Sequence, residues 1–267
     1  MTIIASVKAR DGIVLATDSM SQLIGRTQEG QILIVKTYRN ARKLFRIKEL
    51  PVGVMSYGLG SVGERSIENL VLQFSRDLSE YCSEPYTVEA ISRGLYGFIR
   101  KLYDEVFLGV SEEDRQKNLR LGFFVSGYSP NQFLAEEWEF ELPKATDIKH
   151  VRRVETLGAS WRGIPAPFAR LFNGFDGRIA EALKKAGVSE EILKDTFGTR
   201  KWQMPVAYDG MPVQDAINFA VYILETTIGA VTIERNAAPS CGGPLQVAVI
   251  LPGTGWQWIR EPKLAIE

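Results

Sequence analysis

The amino-acid sequence predicts an α+β protein, with antiparallel sheets and segregated helices. Short runs rich in β-branched and apolar residues cluster at the start, the middle and the end of the chain, and helical patterns fill the two intervals between them. The strict alternation of strand and helix that indicates a parallel sheet is not seen. At 267 residues the chain is long enough to bury a sizeable apolar core, and we expect one domain over residues 1–267.

The first part of the chain predicts strands only. Residues 3–9 and 13–17 are rich in β-branched and apolar side chains, and Asp11-Gly12 between them is typical of a two-residue hairpin turn. These two strands therefore form a hairpin, and five short strands precede the first helix. The remaining three are expected at 32–38, 43–47 and 52–57.

Helical patterns follow. Ser61 with Glu64 has the spacing of a capping box, which predicts a helix from Ser61 onward, and a second helix is expected over 87–107. A charged loop at 108–118 leads to a hairpin that turns at Pro130-Asn131. The later elements are a strand near 150–157, helices at 165–186, 189–197 and 213–233, and strands at 245–251 and 255–260.

The composition excludes several classes of function. Lys and Arg together number 32, as do Asp and Glu, so the chain has no net charge with which to hold nucleic acid or an anionic membrane. One histidine, His150, and two cysteines, Cys82 and Cys241, are too few for a His/Cys zinc site or a disulfide framework. We therefore expect no metal, no cofactor and no nucleic-acid partner.

No export or membrane signal is visible. The first residues lack a basic leader followed by an apolar core, so we expect a cytoplasmic protein. The apolar stretch 216–233 is interrupted by Asn218 and Glu225 and falls short of about 18 uninterrupted apolar residues. We interpret it as a buried helix and expect no membrane partner.

The segment GLGSVG at 58–63 matches a dinucleotide-binding fingerprint, because it follows a strand and opens a helix. A nucleotide-binding unit also needs a second parallel strand that ends in an acidic residue about 20 residues further on. Here that position falls near Asp77 and Glu80, inside a predicted helix. The pattern favours a tight strand-to-helix turn over a cofactor site.

A cysteine nucleophile is a second alternative. Cys241, in the segment SCGG, would need His150 as its spatial partner, because the chain has no other histidine. Free cysteine is commonly a small buried residue, and this reading is favoured for Cys241.

The third candidate lies at the start of the chain. Removal of Met1, which a small second residue permits, would leave Thr2 with a hydroxyl and a free α-amine. The α-amine has a pKa of about 7.7–8.0 and can serve as the base that threonine requires, so no histidine is needed. A nearby ammonium would keep more of the amine unprotonated, and it would itself need a carboxylate partner. Lys43 and Asp18 are the candidates for these two groups.

Four segments together resemble the proteasome β-type family of N-terminal nucleophile hydrolases. They are Thr2, the hairpin end Ala16-Thr17-Asp18-Ser19, the pair Arg42-Lys43 and the strand at 52–58. The resemblance implies a four-layer αββα sandwich. It also implies that Thr2 is nucleophile and base, that Lys43 tunes it, that Asp18 holds Lys43, and that the Tyr57 backbone N–H stabilises the oxyanion, where the family usually has glycine.

Later segments match the family less closely. Gly158-Ala159-Ser160 approximates a Gly-Ser-Gly segment, and 238–243 corresponds to Asp-x-x-Ser-Gly-Gly without its aspartate. The resemblance implies supporting roles for Ser160 and for Ser240 or Cys241. The helical region at about 163–235 is expanded relative to the family.

The resemblance implies a threonine peptidase that hydrolyses peptide bonds in peptides or unfolded proteins. It also implies assembly of identical copies into a ring, and it leaves open whether an ATPase is a partner. Two alternatives are a catalytically silent assembly subunit of the same fold and a hydrolase of small amides in the same class.

Overall fold

Two antiparallel sheets packed face to face form the centre of the molecule, and helices cover both outer faces. We describe a computed structural model over residues 2–26, 32–198, 200–234 and 239–264. Each main sheet has five strands, so the expected α+β class and the αββα layering are confirmed. The strands are β1 (Ile3–Lys8), β2 (Ile13–Thr17), β3 (Ser21–Arg26), β4 (Ile32–Tyr38), β5 (Leu44–Arg46), β6 (Val52–Gly58), β7 (Ser61–Val62), β8 (Arg65–Ser66), β9 (Leu121–Gly127), β10 (Glu136–Leu142), β11 (Lys149–His150), β12 (Gly158–Gly163), β13 (Gln246–Leu251) and β14 (Gly255–Arg260).

The helices form two groups along the chain, one between β8 and β9 and the other between β12 and β13. The first group is α1 (Ile67–Arg76), α2 (Leu78–Tyr81), α3 (Val88–Val106) and α4 (Glu112–Asn118), and the second is α5 (Ala166–Asn173), α6 (Gly177–Lys185), α7 (Glu190–Phe197), a 3₁₀ turn (Arg200–Trp202) and α8 (Val213–Ile233). From the first group, α1, α2 and α3 pack on the sheet ordered β11-β10-β9-β6-β5, which we call the second sheet. From the second group, α5 and α8 pack on the first sheet, ordered β12-β1-β2-β13-β14.

The core is divided among three layers because strand side chains alternate between two faces. In β1, Ile3 and Val7 face α8 and α5, whereas Ile4 faces the other sheet. A third apolar layer joins the second sheet to α1 and α3. The first sheet is thus apolar on both faces, which explains why β1 and β2 are buried along their whole length.

Local patterns predicted several elements correctly. The β1–β2 hairpin turns at Asp11-Gly12, where the Ala9 N–H donates to the Gly12 carbonyl oxygen at 3.0 Å. Helix α3 begins after Thr87, whose hydroxyl accepts a hydrogen bond from the Ala90 N–H. Helix α8 has the predicted bounds. Among the described helices, it is the one that could cross a membrane by length and composition alone. Its buried face packs on β1 and β2, as expected of a core helix.

Other elements differ from the prediction. Helix α1 begins at Ile67 and is capped by Ser66, because residues 61–66 form the small β7–β8 ladder instead of a first helical turn. Strand β3 was not predicted; it pairs with β4 as a two-stranded ribbon. The predicted strand near 150–157 is replaced by β11 and β12, and the predicted helix at 165–186 is divided at Gly174, which has φ +75°. The charged segment 108–118 contains α4.

The expanded helical region contains α5 to α8, although residues 199 and 235 of it lie outside the described residues. Helices α6 and α7 bury none of their side chains. The assignment of residues 1–267 to one domain stays a prediction.

Candidate active site

Five chain segments meet at one end of the sandwich. They are the residue before β1, the end of β2, the residue before β5, the end of β6 and the start of β13. Because β1 and β2 form a hairpin and β2 pairs with β13, the first sheet brings its three segments together. The second sheet supplies the other two.

Lys43 connects the predicted residues of this end. Its Nζ donates hydrogen bonds to Thr2 Oγ1 at 2.9 Å, Asp18 Oδ1 at 2.9 Å and the Met20 carbonyl oxygen at 2.5 Å. An ammonium has three N–H donors, so each of them has a partner here. Burial lowers the pKa of Lys43, and the charge of Asp18 and its hydrogen bond oppose that shift. The structure therefore brings Thr2, Asp18 and Lys43 into contact; their catalytic roles stay predictions.

Asp18 is fully buried and is held by the backbone as well as by Lys43. Its Oδ1 accepts from the Ile3 N–H at 3.1 Å, and its Oδ2 accepts from the N–H groups of Met20 at 3.1 Å and Gly242 at 3.0 Å. Several donors on one carboxylate offset much of its desolvation. Asp18 thereby fixes the start of β1 and the Gly242 loop relative to Lys43.

The ladder of β6 favours Gly58 over Tyr57 as the oxyanion donor. The Ser56 N–H donates to the Lys43 carbonyl oxygen at 3.0 Å, and Tyr57 lies opposite Gly122 of β9. Successive backbone N–H groups of a strand point to opposite edges, so the Tyr57 N–H is directed at β9 and the Gly58 N–H returns to the side of Lys43. The Tyr57 side chain is buried against Gly122, where an added Cβ would lie 2.0 Å from the Tyr57 ring, and burial raises the pKa of its phenol.

Ser160 is not brought to Thr2. In the β1–β12 ladder it lies opposite Ser6, whereas Gly163 lies opposite Ile3, next to Thr2. The Ser160 hydroxyl instead accepts a hydrogen bond from Arg152. At about 3.3 Å per residue, the offset of four positions between Ser6 and Thr2 places Ser160 roughly 13 Å along the strand from the candidate site.

The segment around Cys241 does lie beside the site. Cys241 is buried and directly precedes Gly242, which binds Asp18, while Ser240 is half-buried. Burial raises the pKa of the Cys241 thiol to about 12, and the negative charge of Asp18 adds to the shift. Cys241 therefore packs beside the Asp18–Lys43 pair as a neutral thiol. Ala238, at the start of this segment, lies outside the described residues.

His150 is placed far from Cys241 in the sheet order. It lies in β11, the edge strand of the second sheet opposite β5, and its ring is 4.5 Å from that of Trp138. The segment 58–63 leads into the β7–β8 ladder, and in the part of the chain that the structure describes no parallel strand follows it as a dinucleotide site requires. The geometry therefore favours neither the cysteine nucleophile nor the dinucleotide-binding site.

Cys241 is expected to resist alkylation in the folded protein. Since its pKa is raised to about 12, the reactive thiolate is scarce at neutral pH. Mass mapping after iodoacetamide treatment should show labelling about tenfold or more slower in the folded than in the urea-unfolded protein. Cys82, whose pKa is also raised by burial, is the internal comparison. Equal labelling of Cys241 in both states would instead support the cysteine nucleophile.

Sequence patterns missed two residues of this end. Gly163 has φ +91°, and a Cβ there would lie 1.9 Å from the Thr2 carbonyl oxygen, so only glycine allows this close approach. Gln246 is a buried amide bound to the backbone around Lys43. The signal for Gln246 was one polar residue at the start of the apolar run QVAVIL, but its partners lie far away in the sequence.

A cleft of about 440 Å³ opens beside Thr2. One wall is the β3–β4 ribbon, which contributes Leu23, Ile24 and Tyr38, and the other includes the segment from Ser56 to Ser61. A larger groove of about 770 Å³ lies along α3, but it contains none of the residues that contact Lys43. We take the cleft at Thr2 as the candidate substrate site because Thr2 and Lys43 line it. Within the described ranges, no three His, Cys, Asp or Glu side chains are grouped as a metal would need.

The two sheets and their outer helices define the class of this fold. It is the N-terminal nucleophile hydrolase fold of the proteasome β type, so the resemblance is confirmed at the level of fold. Among solved structures, the chain is similar to Anbu (ancestral beta-subunit) from Yersinia bercovieri, with a TM-score of 0.53 over 97% of this chain and 87% of that chain. The two are 12% identical, so the likeness shows the fold alone. No protein-family model matches the sequence, and no curated protein matches it.

Proposed function

We propose that this protein is a threonine-type peptidase in which removal of Met1, which lies outside the described residues, exposes Thr2 as the nucleophile. The observation that carries the proposal is the position of Lys43 Nζ, which donates to Thr2 Oγ1 and to Asp18 Oδ1 at 2.9 Å each. A threonine hydroxyl held by a buried ammonium, itself paired with a carboxylate, is an activated nucleophile that needs no imidazole. The single histidine of the chain is consistent with such chemistry.

The proposed reaction has two steps. Thr2 Oγ1 attacks the carbonyl carbon of the peptide bond, its proton passes to the α-amine, and the C–N bond breaks as that proton is transferred to the leaving amine. Water then hydrolyses the ester on Thr2, again with the α-amine as base. Lys43 remains an ammonium and lowers the energy of the developing alkoxide, and Asp18 keeps it in place.

The Gly58 N–H is the group we assign to the tetrahedral oxyanion. It lies on the Lys43 side of β6 and also lines the cleft beside Thr2. A preorganised donor of this kind contributes about 3 kcal/mol to the stabilisation of the transition state. The side chain of its neighbour Tyr57 is buried in the same strand.

We further propose that copies of the chain assemble, in a ring as the family resemblance implies, and act in the cytoplasm on peptides or unfolded proteins. The name of the similar protein from Yersinia bercovieri, an ancestral beta-subunit, supports a subunit role. So does the β3–β4 ribbon, which exposes Leu23, Ile24, Leu33 and Val35. A two-stranded ribbon is marginally stable in water unless another surface packs on it. The two free buried cysteines fit a reducing compartment.

Mass spectrometry of the purified protein tests the proposal. We expect an intact mass that corresponds to a chain beginning at Thr2, and a covalent adduct on Thr2 after treatment with a peptide vinyl sulfone or aldehyde. Native mass spectrometry of the same sample should show a multiple of the mass of that processed chain, which lacks Met1 of the 29.8 kDa sequence. Retained Met1 without an adduct would support the silent assembly subunit. An adduct with turnover of small amides alone would support the small-amide hydrolase.

A further inference from the structure

One buried side-chain amide joins the two sheets beside Lys43. Gln246 is the first residue of β13 and is 1% exposed. In the first sheet it lies opposite Thr17, the residue before Asp18. Its side chain reaches the segment that leads into β5 of the second sheet. We propose that Gln246 is a positioning residue that fixes Lys43 relative to Asp18 and Thr2.

The contacts of Gln246 cover the backbone on both sides of Lys43. Its Oε1 accepts from the Lys43 N–H at 3.0 Å and from the Leu44 N–H at 3.2 Å, and its Nε2 donates to the Ala41 carbonyl oxygen at 2.7 Å. The carbonyl oxygen of Lys43 is held in turn by the Ser56 N–H. The backbone of Lys43 is therefore bound to the first sheet through Gln246 and to β6 through Ser56.

Glutamine is suited to this place by its hydrogen-bonding groups. An apolar residue of the same size would leave the Lys43 and Leu44 N–H groups without a partner in a buried region, which is unfavourable. Glutamate would keep the acceptor but would lose the donor to Ala41 and add a negative charge beside Lys43. Asparagine is one methylene shorter. The amide thus accounts for the polar residue that begins the otherwise apolar strand QVAVIL.

The catalytic consequence rests on the proposed function. Gln246 does not line the cleft beside Thr2, so it has no direct route to substrate binding. It acts through Lys43, whose Nζ lies 2.9 Å from Thr2 Oγ1. A displacement of about 1 Å at a reacting group lowers a rate on the order of 10²-fold. We therefore expect Gln246→Met to lower kcat by that order with KM nearly unchanged.

Two control variants separate positioning from general destabilisation. Val249→Ala changes a buried residue of the same strand that packs towards α8, away from Lys43. The free energy of unfolding that Val249→Ala loses is the reference with which the loss in Gln246→Met is compared. Gln257→Met makes the same chemical change at an exposed position of the neighbouring strand β14 and is expected to leave every readout unchanged.

The experiment measures Lys43 directly as well as turnover. Acetylation of Lys43, read by peptide mass mapping, and amide hydrogen exchange over 41–44 are compared in the wild type and the three variants. In Gln246→Met we expect acetylation and exchange to rise about tenfold or more, with both near wild-type values in Val249→Ala, because loss of the amide opens this segment locally. If Gln246→Met does not fold, Gln246→Glu replaces it. In that variant we expect amides 43 and 44 to stay protected from exchange, because the acceptor is kept, and kcat to be reduced.

The inference would be overturned if Gln246→Met matched Val249→Ala in Lys43 acetylation, amide exchange and kcat. It would also be overturned if Gln246→Glu left kcat unchanged. The proposed function fails separately. A wild type that neither cleaves peptides nor forms a Thr2 adduct would refute the peptidase, while acetylation and exchange would still decide whether Gln246 positions Lys43.

Discussion

Thr2→Ala is expected to abolish peptide cleavage and adduct formation while the protein still folds. The change removes the hydroxyl that accepts from Lys43 Nζ, but it keeps a small second residue, so Met1 can still be removed and the α-amine is still present. Loss of a nucleophile lowers turnover by about 10³-fold or more. Since one hydrogen bond contributes about 1 kcal/mol to stability, the thermal unfolding midpoint should shift by only a few degrees. The measurements are peptide turnover and thermal unfolding of the two proteins.

Thr2→Ser is the matched control, because it keeps the hydroxyl and removes only a methyl group. We expect it to form the adduct and to cleave peptides more slowly than the wild type, since serine fixes its hydroxyl rotamer less firmly than a β-branched residue. If Thr2→Ala cleaved peptides as fast as Thr2→Ser, the nucleophile would lie elsewhere, and Cys241 would return as the candidate.

The fold was predictable where local chemistry decides it. Asp11-Gly12 specified the first hairpin, and the apolar pattern of α8 specified its bounds. Strand β12 was missed because GASWRG has no β-branched residue; it is a strand through its pairing with β1. The start of α1 was placed too early because Ser61 and Ser66 both suit a helix N-cap, and the β7–β8 ladder, with Gly63 at φ +60°, decides between them.

The candidate site was predictable to the extent that it lies near one hairpin. Thr2 and Asp18 flank the β1–β2 hairpin, so their proximity follows from the hairpin alone. Ser160 was a poor choice because its segment matches a short motif, whereas the register of β12 sets Gly163 beside Thr2. Gln246 and Lys43 are 203 residues apart, and no local pattern relates them. Contacts of this kind depend on how the two sheets pack.

Asp18→Asn is expected to cause the largest loss of stability at the site. The variant leaves the buried Lys43 ammonium without its counter-charge. In either orientation of the new amide, its NH₂ group faces a backbone N–H that had donated to a carboxylate oxygen. Removal of one partner from a buried ion pair costs about 3–5 kcal/mol. Urea unfolding of the variant should give a correspondingly lower midpoint, and turnover should fall with it, because Lys43 loses its position beside Thr2.

This deficit is expected to depend on pH in a definite direction. Burial lowers the pKa of Lys43 from 10.5, and Asp18 opposes the shift, so the pKa falls further in Asp18→Asn. Below that lowered pKa, the folded and unfolded states both carry the charged lysine, and the full cost of burying it remains. Between the lowered pKa and 10.5, only the unfolded state binds the proton. Hence the stability of the variant rises with pH across that window, and it rises relative to the wild type up to the less depressed pKa of Lys43 in the folded wild type.

The double variant Asp18→Asn/Lys43→Met identifies the cause. It removes the unpaired charge, so it should be more stable than Asp18→Asn alone and should lose that variant's pH-dependent recovery, although it stays inactive. Lys43→Met alone should cost less than Asp18→Asn, because three backbone N–H groups still bind the Asp18 carboxylate. A double variant less stable than Asp18→Asn would show that Asp18 acts chiefly through those N–H groups. The ion pair with Lys43 would then be secondary to its role in joining β1 to the Gly242 loop.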